Sequence, residues 1–196
     1  LTKAESYCKE LITYYPNAVI LYNILGLVLN EQSKIDEAIE SYKKGLKIKP
    51  NFALIHNNLG SLYQYKENYK LAETHYKESI KHNSNISEPL NNLGNLYIKL
   101  NNYSEAIHCY KKSIAISPKF AVFYYNLGVA QKSFGDLKEA KINLEKAVKL
   151  NKHLFVAHRI LSQLTKYNKD TTHLKILKNM YIDVKITNTQ KTELSF

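Results

Sequence analysis

Four glycines recur through this chain at one interval: Gly26, Gly60, Gly94 and Gly128 are each 34 residues apart. Ala38, Ala72, Ala106 and Ala140 share that interval, as do Pro16, Pro50 and Pro118, with Ser84 where a fourth proline would fall. Independent columns with one period mark a repeat array, in which each unit buries its apolar face against the next and no single large core is needed.

Inside each unit the apolar residues fall at helical spacing in two blocks. Leu59, Leu62 and Tyr63 form the first, and Leu71, Ala72, Tyr76 and Ile80 the second, with a polar joint at 66–68 between them. The unit is therefore a helical hairpin. Asn102 with Glu105 and Asp136 with Glu139 have the spacing of a cap followed by an acid at the third helical position, which satisfies free N–H groups at a helix start. A small residue on each helix lets the backbones cross closely, so Gly on the first is expected to face Ala on the second. Proline stops the second helix, because it restricts the preceding residue and cannot donate to the helical ladder.

Composition agrees. With 44% hydrophobic residues but only 6 Gly and 4 Pro among 196, the chain can pack a core yet lacks the punctuation of a many-turned β fold. Cys8 and Cys109 lie far apart with no metal-ligand or redox spacing and read as packed thiols. No run reaches the length of a membrane span, and the expected location is cytoplasmic.

The units resemble tetratricopeptide repeats. That family favours Trp, Leu, Gly, Tyr, Ala, Phe, Ala and Pro at eight fixed positions. The corresponding residues here are Leu90, Leu93, Gly94, Tyr97, Ala106, Tyr110, Ser113 and Pro118 in the third unit, and His56, Leu59, Gly60, Tyr63, Ala72, Tyr76, Ser79 and Ser84 in the second. The first reads Tyr22, Leu25, Gly26, Leu29, Ala38, Tyr42, Gly45, Pro50, and the fourth Tyr124, Leu127, Gly128, Gln131, Ala140, Leu144, Ala147, Lys152. The resemblance implies an all-α, right-handed α-solenoid. The expected organisation is a half repeat at 1–18, full repeats at 19–52, 53–86, 87–120 and 121–154, a capping helix at 153–169 and a helical tail at 170–196. In the tail, helix starts are expected at Asp170 or Thr171 and again near Thr187 to Thr189.

Residues 157–196 are also similar, loosely, to the segment that follows the repeats in bacterial proteins joining such arrays to a sulfotransferase domain. His158, Leu161, Tyr167, His173, Leu174, Tyr181, Lys191, Leu194 and Phe196 carry that likeness. The phosphate-binding loop of a sulfotransferase does not occur in this sequence.

In a stack of such hairpins a first-helix position recurs once per unit along the concave side. One position reads Ile24, Asn58, Asn92, Asn126. An amide donates and accepts, so a row of them can grip an extended peptide backbone without reading its sequence. A comparable row holds polypeptide in the repeat arm of O-linked N-acetylglucosamine transferases. Ser61, Asn95, Tyr65 and Lys99 are expected to face the same groove. Asn23, Asn57 and Asn91 at the neighbouring position are equally compatible with a plain solvated lining. Ile20, Leu54, Glu88 and Val122 occupy the place where carboxylate-clamping relatives carry lysine, so no such clamp is expected.

The formal charge of +11 invites a polyanion. Every base except Arg159 is lysine, however, whereas phosphate and base-edge recognition draws on the arginine fork. The tyrosines mostly occupy the family's aromatic positions, which points to packing rather than base stacking. No nucleophile with a base at motif spacing is present, and His75 and His108 have no ligand companions in the sequence. The chain is thus expected to be a non-enzymatic scaffold without cofactor or metal. Its expected partner is a protein or extended peptide, with an arm of a larger transferase and a basic surface for anionic polymers as the alternatives.

Overall fold

The computed structural model describes residues 2–166 and 172–182. The described residues form eleven helices and no strand: α1 (Thr2–Tyr14), α2 (Val19–Glu31), α3 (Ile35–Ile48), α4 (Ala53–Tyr65), α5 (Tyr69–His82), α6 (Glu88–Lys99), α7 (Tyr103–Ile116), α8 (Ala121–Phe134), α9 (Leu137–Leu150), α10 (Phe155–Gln163) and α11 (Thr172–Ile182). They fall into two compact units, Leu1–Leu96 and Tyr97–Phe196. The expected helix start at Asp170 or Thr171 and the one near Thr187 to Thr189 lie outside the described residues, as do Tyr167, Lys191, Leu194 and Phe196.

The joints share one construction. Ser33, Glu67 and Asn101 have φ of 61°, 59° and 56°, and Gly135 has 98°, so one left-handed residue ends the first helix of each hairpin. The next N–H reaches back to a carbonyl five residues earlier: Lys34 to Leu29 (2.9 Å), Asn68 to Tyr63 (2.8 Å), Asn102 to Tyr97 (2.8 Å) and Asp136 to Gln131 (2.9 Å). This is the six-to-one bond that closes a helix through a left-handed residue. Asn68, Asn102 and Asp136 then cap the second helix, their side chains accepting from Leu71, Glu105 and Glu139 N–H. Lys34 makes no side-chain cap.

In the first unit Cys8, Leu25, Leu29, Ala38, Ile39, Tyr42, Ile55, Leu59 and Leu62 form one apolar cluster across α1 to α4. In the second, Leu144 and Ala147 of α9 pack on Ala157 and Leu161 of α10, and Phe155 packs on Leu177 and Met180 of α11. Both cysteines are free and buried, and burial raises the Cys8 thiol pKa.

At the glycines the nearest side chain is a large one beyond the alanine. A Cβ on Gly26 would lie 2.3 Å from Tyr42 Cε1, and one on Gly60 would lie 2.6 Å from Tyr76 Cδ1. On Gly128 it would meet Leu144 Cγ at 2.8 Å, before the Ala140 carbonyl at 3.1 Å. Each glycine therefore makes room for a large side chain one turn beyond the alanine. Gly94 is buried, and Ala38, Ala72, Ala106 and Ala140 are fully buried.

Candidate functional site: amide pairs on the first helices

The first helices of the first unit carry two interlocked rows of asparagine. Asn58 Nδ2 donates to Asn23 Oδ1 (3.0 Å), and Asn92 Nδ2 donates to Asn57 Oδ1 (3.1 Å). Each amide thus bonds to the amide of the preceding hairpin, one column over. Asn23 is buried, while Asn57, Asn58 and Asn92 are half-buried. The Asn58 side chain also hydrogen-bonds the Tyr42 hydroxyl, although burial is the larger influence and raises that phenol's pKa. One N–H of each amide is fixed in this way, so its plane is held while capacity for further hydrogen bonds remains. The neighbouring asparagines that read as plain lining are therefore the partners of the row.

Ser61 is exposed, and its hydroxyl reaches the Asn57 carbonyl (3.3 Å) while accepting from the buried Tyr76 hydroxyl (3.3 Å). Tyr65 is 73% exposed, and Asn95 is half-buried. At the same helical spacing along these faces stand Ile20, Ile24 and Leu27 of α2 and Leu54 of α4, all exposed. In the second unit Asn126 is half-buried on α8 and Lys99 is exposed at the end of α6.

A second set of polar side chains ties consecutive hairpins together. Tyr22 Oη donates to the Pro16 carbonyl (3.0 Å), and Tyr124 Oη donates to Pro118 (3.1 Å). His56 Nε2 lies 2.8 Å from the Pro50 carbonyl, and His158 Nε2 lies 3.0 Å from that of Lys152. The period places Leu90 opposite Ser84 at the corresponding site, and a leucine has no donor to offer.

Because a carbonyl only accepts, Nε2 carries the proton in His56 and His158, which leaves Nδ1 to accept. His75 Nδ1 donates to that nitrogen of His56 (3.0 Å), and His173 Nε2 donates to that of His158 (2.9 Å). His75 stacks on Tyr63 with an interplanar angle of 8°, and His173 on His158 with 5°. Burial, followed by the facing imidazole, lowers His75 and His173 to about 4. Burial likewise lowers His158. His75 therefore has a companion that its sequence position did not disclose. Among the described residues no group of three or more His, Cys, Asp or Glu has the arrangement of a metal site.

At the start of the first unit, hydrogen bonds from Lys34 (2.8 Å) and Lys9 (2.5 Å) hold the Glu5 carboxyl near 2. Elsewhere on the second helices, lysine pairs with glutamate at exposed sites such as Lys43–Glu40 (3.0 Å). Pairs of this kind contribute little to stability.

The model described as "TPR repeat" matches residues 26–66 and 94–135, and two models described as "Tetratricopeptide repeat" match 53–85 with 121–153, and 75–108. The chain belongs to the tetratricopeptide repeat family. Members of this family are typically non-enzymatic protein-interaction scaffolds. Comparison with curated proteins returns no significant match. Among solved structures it is similar to "MamA protein" (26% identity over 76% of this chain and 81% of that one, TM-score 0.67). It is also similar to pilF of Pseudomonas aeruginosa (25% identity, 75% of this chain and 67% of that one, TM-score 0.71). A third likeness, in fold alone, is to YrrB, titled "a TPR protein with an unusual peptide-binding site" (17% identity, 94% and 95% covered, TM-score 0.70). No described helix is long and apolar enough to cross a membrane.

Proposed function

We propose that this chain is a scaffold that holds an extended peptide segment of a partner protein on the first-helix face of its first unit. The unit boundaries that go with this reading are 19–52, 53–86, 87–120 and 121–154, flanked by the half repeat at 1–18 and the cap at 153–169. The observation that carries the reading is the pairing Asn23–Asn58 and Asn57–Asn92, which orders two amides before any ligand arrives. Ordering beforehand lowers the entropy lost on binding. A peptide backbone can then exchange N–H and C=O bonds with the amides, while Ile24, Leu27 and Leu54 offer apolar contact to alternate side chains. Ser61, Asn95 and Tyr65 flank the row. Asn126 repeats its register in the second unit, and Lys99 ends the first helix of the hairpin before it.

The test is fluorescence anisotropy with a pool of unstructured peptides. Changing Asn58 and Asn92 together to Ala should weaken capture roughly tenfold or more, since each lost hydrogen bond contributes on the order of 1 kcal/mol. Asn126→Ala alone should weaken it less. Unchanged affinity in the double variant would remove the amide row from the reading.

The alternative, a substrate-recognition or assembly arm of a larger transferase, rests on the resemblance of residues 157–196 alone. A parent reading frame that stops shortly after Phe196 would end it. Binding to anionic polymers rests on the charge of +11. It would show as a steep loss of affinity with salt and indifference to nucleotide sequence.

A further inference from the structure

The gap between consecutive second helices, over the outward side of the first helix they flank, is filled differently along the chain. Over α4 it is closed by the His75 ring, stacked on Tyr63 and bonded to His56. Over α8 it is closed by Asn143, whose Nδ2 donates to Gln131 Oε1 (2.8 Å), and over α10 by the His173 ring stacked on His158. Over α2 the residue in register with His75 and Asn143 is Ser41. Its hydroxyl is turned to the Tyr22 carbonyl (2.9 Å), and a cavity of about 470 Å³ opens between α1, α2 and α3.

The floor of this cavity is apolar, made by Ile12, Tyr22, Leu25 and Leu29. Its rim is acidic on the α3 side. Asp36 and Glu40 each also reach a lysine outside the cavity, Lys66 (2.6 Å) and Lys43 (3.0 Å). Among the described residues Glu37 makes no close salt bridge, and its charge acts on Lys34 only at longer range. Of the two lysines on the rim, Lys9 is bound to Glu5 (2.5 Å), which leaves Lys44. A negative rim on a chain of formal charge +11 is a local reversal of sign.

We propose that this opening is a second docking site, separate from the amide face, which takes an aromatic side chain flanked by arginine or lysine from a partner protein. The fold itself places a flat ring in this gap over α4 and over α10, so the space between second helices suits a ring. The volume lies within the range of pockets that enclose a bound group. The ring lies on Tyr22, Leu25 and Leu29, and the flanking cations meet Glu37 and Glu40. Apolar contact supplies the affinity, and the charges supply choice of partner and rate of encounter.

The test uses acetyl-Arg-Phe-Arg-amide titrated into the protein and followed by NMR. Saturable shifts at the amides of Ile12, Leu29 and Lys44 are expected. Binding should weaken roughly tenfold when Glu replaces both arginines or Ala replaces the phenylalanine, as for a lost buried ring or a charge clash. Ser41→His, which copies the filling residue of the next hairpin, should abolish binding while the protein keeps its helical circular dichroism. Glu37→Gln with Glu40→Gln, both exposed and outside the core, should weaken the peptide whatever Ser41→His does to folding. Asn58→Ala with Asn92→Ala should leave it unaffected, which separates this site from the amide face. Absence of saturable shifts, binding that survives in folded Ser41→His, or binding indifferent to the two Gln changes would each overturn the proposal.

Discussion

A methyl group added at Gly26 has no room, because Tyr42 is 1% exposed and its ring atom would lie 2.3 Å away. A stiff ring cannot yield as a flexible chain end can. Gly26→Ala should therefore lower stability by about 2 kcal/mol, the usual cost of overpacking a filled core. Gly135→Ala differs in kind: nothing lies within 4 Å of the added carbon, but φ is 98°. Its cost is backbone strain alone, about 1 kcal/mol. Urea unfolding of the two variants measures both, and a smaller loss at Gly26 than at Gly135 would contradict the packing account. The histidine pairs give a pH dependence. His75 and His173 titrate near 4 in the fold and near the ordinary 6.5 when unfolded. The unfolded chain thus binds more protons between these values. The stability is fully present above pH 6.5 and falls as the pH drops toward 4, by less than about 1 kcal/mol per pH unit for each half-buried imidazole once solvent screening is counted. Glu78 opposes the shift at His75 and Lys43 reinforces it. Melting temperatures from pH 7.5 to 4.5 should fall less steeply for His75→Gln, whose amide can still donate to His56 Nδ1.

At the level of the element, the joint matters more than the helix. Glu67 sits at φ 59° in the place that Gly135 holds two joints later in register with it. Glutamate gains nothing from the left-handed region, so Glu67→Gly should raise stability by about 1 kcal/mol. Thermal unfolding checks this, and a loss would mean that Glu67 is held by contacts the joint geometry does not reveal. These turns illustrate how far the sequence could be read. Gly135 and Asn101 are residue types that favour a positive φ, whereas Ser33 and Glu67 are not, and only the 34-residue period places them. Asn102 and Asp136 announced themselves as caps through the acid three residues on. Asn68, which has leucine there, did not, yet it caps as well.

For the chain as a whole, the fold was legible because each hairpin repeats one solution, and four glycines and four alanines mark it. Side-chain partnerships were less so. Asn58 meets Asn23 and Asn92 meets Asn57, both 35 residues apart, so columns compared in one register miss the bond by a single step. The histidine pairs span 19 and 15 residues; His56 and His158 share one register, but their partners His75 and His173 do not, so no single offset finds both. The cavity over α2 was invisible for another reason: it follows from what Ser41 lacks, and an absence of volume shows only against the equivalent residues that fill it. The nearest side chain to a Cβ at Gly26, Gly60 and Gly128 is Tyr42, Tyr76 and Leu144, one turn beyond the alanine, a neighbour that the matched glycine and alanine columns alone did not point to.

Leu90 is where the tie between successive hairpins is broken, and the segment before it has Ser84 in place of proline. Asn83, Ser84 and Asn85 are exposed there. An exposed chain that lacks the phenol or imidazole tie of the other joints and has no proline ring at 84 is the weak link for a protease. Among the described residues, brief digestion with proteinase K should nick first between His82 and Ser87. Ser84→Pro with Leu90→Tyr should slow that cut several-fold by restoring the missing rivet. Mass spectrometry of the fragments would show it, and a first cut at another described joint would place the weakness elsewhere.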